Sequence, residues 1–106
     1  MNINDLNWHD GNITKFELIT NYGGKSQLLI EADIYDDSVR TPGRDSIILK
    51  CIDVSRFNCS CNMIELNDNS CAGNIDNCSQ KGSVLWFHLF GGFIEIEARE
   101  FQFEKC

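Results

Sequence analysis

Two apolar-rich runs flank a pair of glycines near the end of the chain, and this stretch, residues 83–103, constrains the fold most strongly. Glycine accepts the positive φ of a tight two-residue turn, so the pair predicts a β-hairpin whose turn is Gly91-Gly92. In that register His88 lies opposite Glu95. Because side chains alternate along each strand, one face becomes wholly apolar. That face carries Leu85, Phe87, Leu89, Ile94, Ile96 and Ala98.

The other face of this hairpin mixes aromatic and charged side chains. It carries Trp86, His88, Phe90, Phe93, Glu95 and Glu97. After Ala98 the alternation breaks, because the next apolar residues are Phe101 and Phe103. A β-bulge near Arg99 and Glu100 is therefore predicted, since one extra residue would return both rings to the core face.

A second hairpin is predicted to join residues 12–20 to residues 27–35. Apolar and polar positions alternate in both runs, as in an antiparallel sheet with one solvated face. Phe16 and Leu18 are predicted to face inward on the first strand. The second strand is predicted to bury Leu28, Ile30, Ala32 and Ile34. The outward positions are Lys15, Glu17, Leu29, Glu31, Asp33 and Tyr35.

The middle of the chain combines one clear strand with less regular segments. Residues 36–45 contain the only proline and are predicted to form a loop. Residues 46–55 carry apolar side chains on both faces, which predicts a central strand covered on both sides. The alternation of Phe57, Cys59, Cys61 and Met63 predicts a short strand as far as Leu66. Residues 67–82 are rich in Asn, Asp, Ser and Gly, which predicts a loop with at most one helical turn.

These patterns predict one fold class for the whole chain of 106 residues. We expect a single domain, residues 1–106, that is mainly β. It would consist of a single antiparallel sheet of about five or six strands, strongly twisted or curled into a partial barrel, with at most a short helix.

The formal net charge is −7, and the acidic residues are spread along the chain. Phosphate backbones would be repelled, which disfavours nucleic acid as a partner, whereas a basic protein would be attracted. The alternative is that the charge only maintains solubility. The first twelve residues lack the pattern of a signal peptide, and no run approaches the roughly 18 apolar residues of a membrane span. We therefore expect a cytoplasmic location, no membrane partner and reduced thiols.

Six cysteines raise the possibility of a zinc site. Cys59, Cys61, Cys71 and Cys78 could supply four thiolates. Structural zinc sites usually space their ligands as Cys-x-x-Cys, which lets two sulfurs converge on one ion. The Cys-x-Cys spacing of Cys59 and Cys61 is a poor match to that pattern. Cys51 is predicted to be a small core residue and Cys106 an exposed terminal thiol, so no cofactor is expected.

Two polar clusters could take part in catalysis. His88 opposite Glu95 would form half of a catalytic site, but no activated Ser or Cys can be placed beside this pair. We therefore favour the alternative that the two residues form a cross-strand pair on a solvated or partner-facing surface. His9 and Asp10 are adjacent, and residues 8–11 read as a turn rather than a dyad. Phosphate-binding, metalloprotease, nucleophile-elbow and EF-hand motifs are missing, so an enzyme is not expected.

The opening Leu6-Asn7-Trp8-His9-Asp10-Gly11-Asn12-Ile13 and the closing run of residues 92–98, GFIEIEA, resemble small cytoplasmic immunity proteins. Such proteins are encoded beside the toxins of bacterial polymorphic toxin and contact-dependent growth-inhibition systems. The resemblance implies a stoichiometric inhibitor that binds the C-terminal domain of a cognate toxin, often a nuclease. The acidic charge suits that role independently, because nuclease domains are commonly basic.

Acidic and aromatic positions together define the predicted partner-binding surface. The candidate residues are Glu17, Glu31, Asp33, Asp36, Asp37, Trp86, His88, Glu95 and Glu97. Two alternatives stay open at this point. One is a structural or adaptor module stabilised by zinc, and the other is a small-ligand binder or enzyme in the hollow of the sheet with His88 and Glu95 at its mouth.

Overall fold

The computed structural model describes residues 3–20, 25–34, 45–61 and 74–105. A single 3-10 turn, Ile3–Asp5, precedes six strands. The strands are β1 (Asn12–Ile19), β2 (Gln27–Ile34), β3 (Asp45–Cys61), β4 (Ile75–Lys81), β5 (Val84–Leu89) and β6 (Gly92–Lys105). The predicted mainly-β class with at most a short helix is confirmed. None of the helical structure in these ranges is long and apolar enough to cross a membrane.

All six strands belong to one antiparallel sheet with the order β1-β2-β3-β6-β5-β4. Each half of the chain forms a three-stranded meander, and the two meanders join through β3 and β6. These two strands have 17 and 14 residues, and they pair along most of their length. β2 pairs with the first part of β3, whereas β5 pairs with the first part of β6. The sheet therefore consists of two overlapping halves that share the long central strands.

The sheet curls until its two outermost strands meet at one end. Asp10 N–H donates to the Ile75 carbonyl at 3.0 Å, and Ile75 N–H donates to the Gly11 carbonyl at 2.7 Å. An isolated bridge joins Asn12 to Asn74 directly beyond. The predicted partial barrel is thus confirmed, with one corner closed by the chain that leads into β1.

The core lies on the inner side of this curl. Its buried apolar side chains are Ile3, Leu6, Trp8, Leu28, Ile30, Ala32, Ile34, Ile47, Leu49, Cys51, Ile75, Leu85, Phe87, Ile94, Ile96 and Ala98. The four inward positions predicted for residues 28–34 are all among them, which confirms the alternation there. Full burial of one large aliphatic or aromatic side chain stabilises the fold by about 1.5 to 3 kcal/mol.

The N-terminal segment contributes more to the core than its polar composition predicts. Ile3, Leu6 and Trp8 are all buried. The Trp8 ring meets the Phe87 ring edge to face, with centroids 5.3 Å apart at 83°. Trp8 Nε1 donates to the Ile3 carbonyl at 2.9 Å, so the buried indole is satisfied.

The predicted β5–β6 hairpin exists, but its turn and its pairs differ from the prediction. The two-residue turn is Phe90-Gly91, and Leu89 pairs with Gly92. His88 therefore lies opposite Phe93, and Glu95 lies opposite Trp86. Each residue has moved by two positions relative to its predicted partner. A two-residue shift leaves every side chain on its face, so the apolar face was predicted correctly while the pairs were wrong.

The predicted bulge is found on the partner strand. Val54 pairs with Ala98 and Arg56 with Glu97, so the extra residue is Ser55 of β3. On β6 the pairing skips Arg99, which lies between Glu100, the partner of Ile52, and Ala98, the partner of Val54. Asp53, two residues before Ser55, has a φ of 58°, a left-handed conformation that bends the strand. The rings of Phe101 and Phe103 do pack against the core, opposite Cys51 and Leu49.

Two further predictions for the middle of the chain need correction. Residues 57–61 continue β3 rather than forming a separate strand, and residues 75–81 form β4 where a loop was predicted. β4 lies at the end of the sheet and buries only Ile75 fully, so a polar sequence suffices. β3 is central as predicted, but among the described residues no second layer covers its outer Ile48 and Ile52. Tyr35, Asp36, Asp37, Met63, Leu66, Cys71 and Cys106 lie outside the described residues.

Candidate protein-binding faces

The curled sheet divides the predicted partner-binding residues between two outer faces. Glu17, Glu31 and Asp33 lie on one half of the sheet, and the set of residues 86–97 lies on the other. No cross-strand row among the described residues contains members of both sets. The predicted residues therefore belong to two surfaces of different composition, which we describe separately.

The acidic face is formed by outward side chains of β1, β2, the first part of β3 and the last part of β6. It consists of Lys15, Glu17, Ile19, Gln27, Leu29, Glu31, Asp33, Ser46, Ile48, Lys50, Ile52, Glu100, Gln102 and Glu104. The acidic face contains five carboxylates and two ammonium groups, so its formal charge is −3. Phe16 and Leu18 lie on the opposite, inner side of β1, as predicted, but they remain 48% and 49% exposed.

The charges of the acidic face are only partly paired. Lys15 Nζ lies 4.0 Å from Glu17 Oε2, and Lys50 Nζ lies 3.5 Å from Glu104 Oε1. Glu31, between them in the sheet, has no cation within ion-pair distance among the described residues. Such exposed pairs contribute roughly 0.2 to 1 kcal/mol each, so these lysines compensate the negative potential only weakly.

Aliphatic side chains occupy the middle of the acidic face. Leu29 lies between Glu17 and Lys50 in one cross-strand row, and Ile48 lies between Glu31 and Glu104 in the next. Both are half-buried although they point outward. An aliphatic centre with a charged rim is the usual anatomy of a protein interface.

The aromatic face is formed by outward side chains of the last part of β3, the first part of β6, β5 and β4, together with Phe90 in the turn. It consists of Arg56, Asn58, Ser60, Asn77, Ser79, Lys81, Val84, Trp86, His88, Phe90, Phe93, Glu95 and Glu97. Phe90 and Phe93 are 62% and 43% exposed. Two cationic and two anionic side chains give this face a formal charge of zero with histidine neutral.

The Glu95 carboxylate lies at the centre of a hydrogen-bond network on the aromatic face. Trp86 Nε1 donates to Oε2 at 2.9 Å, and Asn58 Nδ2 donates to Oε1 at 3.1 Å. Arg56 Nη2 lies 3.3 Å from the same Oε1. The Trp86 hydrogen bond, followed by the Asn58 hydrogen bond and the Arg56 charge, holds the pKa of Glu95 below its ordinary value, although desolvation opposes this. Glu97 is tied separately, by the Ser55 hydroxyl at 2.8 Å.

The predicted pair of His88 and Glu95 does not form. His88 is exposed and lies opposite Phe93, and Glu95 is bonded to Trp86 instead. Both side chains lie on the convex side of the sheet, whereas the concave side is filled by core residues such as Phe87 and Leu85. The structure therefore gives His88 no carboxylate partner from Glu95, and it places neither residue at the mouth of a hollow.

The cysteines named for a zinc site do not converge where they are described. Cys59 and Cys78 belong to one cross-strand row, separated by Ile94 and Phe87. Three strand spacings amount to about 14 Å along the sheet, whereas zinc–sulfur bonds of about 2.3 Å require adjacent sulfurs. The Cys61 side chain and all of Cys71 lie outside the described residues. No group of three His, Cys, Asp or Glu within those residues could hold a metal ion.

Two thiols belong to the apolar interior. Cys51 is fully buried, as predicted, and burial raises its pKa to about 12. Burial, with a smaller effect of Cys51, also raises the pKa of the half-buried Cys78. Protonated thiols are poor nucleophiles and poor metal ligands, so these two side chains act as core residues.

His9 and Asp10 form the predicted turn. Gly11 N–H donates to the Trp8 carbonyl at 3.0 Å, and Asp10 has a φ of 64°. The His9 ring is exposed, with Nδ1 3.1 Å from the Asp76 carbonyl oxygen. This imidazole ties the turn to β4.

Sequence reasoning missed several residues of the aromatic face. Arg56 and Asn58 bind Glu95 from β3, almost forty positions earlier, and Asn77 and Ser79 belong to a segment predicted as a loop. The pairing of β3 with β6 brings the first two into place, and a local pattern in residues 83–103 does not contain that information. Comparisons with protein-family models, curated proteins and solved structures found no match.

Proposed function

We propose that this protein is an immunity protein that binds a basic toxin domain and neutralises it by forming a stoichiometric complex. The acidic face carries this proposal: it combines a formal charge of −3 with an aliphatic centre around Leu29 and Ile48. Negative potential would steer a basic nuclease domain and accelerate association, and the aliphatic centre would be desolvated on contact. The resemblance of residues 6–13 and 92–98 to immunity proteins supports the same class of partner.

The arrangement of the side chains favours binding over catalysis. The acidic face is a broad surface of side chains on regular strands, which is the geometry of a docking surface. The chemical groups that would be needed for acid–base catalysis, His88 and Glu95, are not paired with each other. Asp36 and Asp37, the remaining acidic candidates, follow β2 in sequence and lie outside the described residues.

The test is protection from the toxin encoded beside this protein. The C-terminal toxin domain is expressed in a susceptible bacterium with and without the protein, and the purified pair is titrated calorimetrically. We expect restored growth, a 1:1 complex and a dissociation constant that rises with salt concentration. Failure of the protein to restore growth or to bind the domain would contradict the proposal.

A matched pair of variants locates the binding surface. Glu31→Lys and Asp5→Lys each change the net charge by +2, but only Glu31 lies on the acidic face; Asp5 is an exposed residue of the N-terminal turn. We expect Glu31→Lys to weaken binding by about tenfold or more, mainly by slowing association, and Asp5→Lys to have a much smaller effect. Equal effects would show that only total charge matters and would contradict the surface assignment.

A further inference from the structure

The aromatic face differs from the rest of the molecule in charge. The chain carries −7 in total and the acidic face −3, but the aromatic face is formally neutral. Arg56 and Glu95 already form an ion pair within it. Two copies of an acidic chain repel each other over most orientations, and a neutral face is where they can approach with the least repulsion.

The same face exposes more aromatic surface than a solvated sheet requires. Phe90 and Phe93 are 62% and 43% exposed, and the half-buried Trp86 lies beside them. Aromatic side chains of this kind commonly anchor interfaces. Small polar side chains surround them, namely Asn58, Ser60, Asn77 and Ser79. Antibody binding sites combine aromatic anchors with Asn and Ser in the same way, and the small polar side chains there supply adaptable hydrogen bonds.

We propose that this protein self-associates through the aromatic face, so that Phe90 and Phe93 of each copy pack against the aromatic face of the second. A two-fold interface places one surface against itself, and equal numbers of cations and anions make this surface compatible with its own copy. The packing would be sheet against sheet, with Lys81 and Glu97 available for ion pairs between copies. The acidic faces would remain free on both copies, so the inference is independent of the proposed toxin binding.

The size of the face predicts the strength of the dimer. Four strands and three cross-strand rows cover roughly 19 Å by 20 Å, which is about 400 Å² of flat area. Stable interfaces typically bury about 800 Å² of accessible surface on each partner. The dimer is therefore expected to be weak and to depend on protein concentration over the micromolar range.

Sedimentation equilibrium of the full chain at several concentrations tests the inference. We expect a reversible monomer–dimer equilibrium that shifts toward dimer as salt is added, because screening reduces the repulsion between two chains of charge −7. The Phe90→Ser/Phe93→Ser variant should raise the dimer dissociation constant by about tenfold or more. Circular dichroism of each variant verifies that the sheet is retained.

Phe16→Ser provides the matched control. Phe16 is 48% exposed, close to the value for Phe93, but it lies on the inner side of β1, where its ring meets Phe57 with centroids 6.2 Å apart. We expect this variant to keep the dimer. A chain that is monomeric at all concentrations would overturn the inference, and so would a dimer that survives Phe90→Ser/Phe93→Ser but is lost in Phe16→Ser.

Discussion

At the scale of single residues, Glu95 shows how a surface carboxylate acquires a defined role. Its two oxygens accept hydrogen bonds from Trp86 and Asn58 and pair with Arg56, and these contacts favour the ionised form. The pKa of Glu95 consequently lies below its ordinary value of 4.5 in the folded chain. A lowered pKa means that the folded state is stabilised above pH 4.5, and that this stabilisation is lost as the pH falls through the folded-state pKa.

The corresponding prediction concerns Glu95→Gln. We expect the variant to have a lower free energy of unfolding than the original chain at pH 7, because the ion pair with Arg56 and the charge on the acceptor are lost. The difference should shrink below pH 4.5 and approach zero once Glu95 is protonated. Urea unfolding of both chains between pH 3 and pH 7 measures it. A difference independent of pH would show that the ionised carboxylate is not what stabilises the face.

At the scale of elements, the chain before β1 acts as a strap along the outer edge of β4. The Asn4 side chain donates to the Gln80 carbonyl at 3.0 Å and accepts from the Gln80 N–H at 2.8 Å. Its carboxamide thus makes the pair of hydrogen bonds that a neighbouring strand would make. Edge strands with free backbone groups invite pairing with other chains, so the strap also protects this end of the sheet.

Removing the Asn4 side chain should change the hydrogen exchange of one amide, that of Gln80. Asn4→Ala loses both hydrogen bonds, at a cost of about 1 kcal/mol in stability, and should accelerate hydrogen exchange of the Gln80 amide. Asn4→Asp keeps an oxygen acceptor and should preserve much of that protection, which makes it the control. Exchange is followed by NMR. Unchanged protection in Asn4→Ala would mean that the strap does not hold this edge.

At the scale of the whole molecule, charge repulsion opposes the compact state. A net charge of −7 on 106 residues is concentrated by folding, and the acidic face gathers five carboxylates on one side. Salt screens this repulsion, although it also weakens surface pairs such as Lys50–Glu104. Because anions outnumber cations, we expect the repulsion to dominate the response to salt.

The prediction is a free energy of unfolding that rises with ionic strength. Raising sodium chloride from about 0.01 M to about 0.15 M shortens the Debye length from about 30 Å to about 8 Å, and stability should increase. The increase should be smaller in Glu31→Lys, which removes part of the repulsion. Denaturant titrations at both salt concentrations measure it, and a decrease in stability with salt would contradict the argument.

Much of the sheet could be predicted because alternation is a local property. Leu28, Ile30, Leu85 and Ile96 were assigned to the core from parity alone, and parity survives even when a hairpin is mispaired by two residues. The pairing itself was not local in this sense. Gly91-Gly92 fits the glycine preference of a two-residue hairpin turn, but in the structure the turn begins one residue earlier. With that turn, Phe87 pairs with Ile94 and Trp86 pairs with Glu95.

The outward-facing residues of the candidate site could be predicted from the sequence, but their distribution over two faces could not. Glu31, Asp33 and Trp86 were identified by type and parity, and they do lie on outer faces. Their division between an acidic and a neutral surface depends on the pairing of β3 with β6 and on the bend at Asp53. The neutrality of the second surface depends in turn on Arg56, which only that pairing brings to Glu95.

The sequence by itself determined which side chains face inward on β1, β2, β5 and β6, the antiparallel class and the acidic charge, because alternation and composition are properties of neighbouring residues. Only the tertiary structure decided the strand order, the strand status of the polar β4 and the burial of Trp8 against Phe87. Those features arise from contacts between residues far apart in the chain. Their free energy depends on which surfaces meet, and no local pattern specifies that.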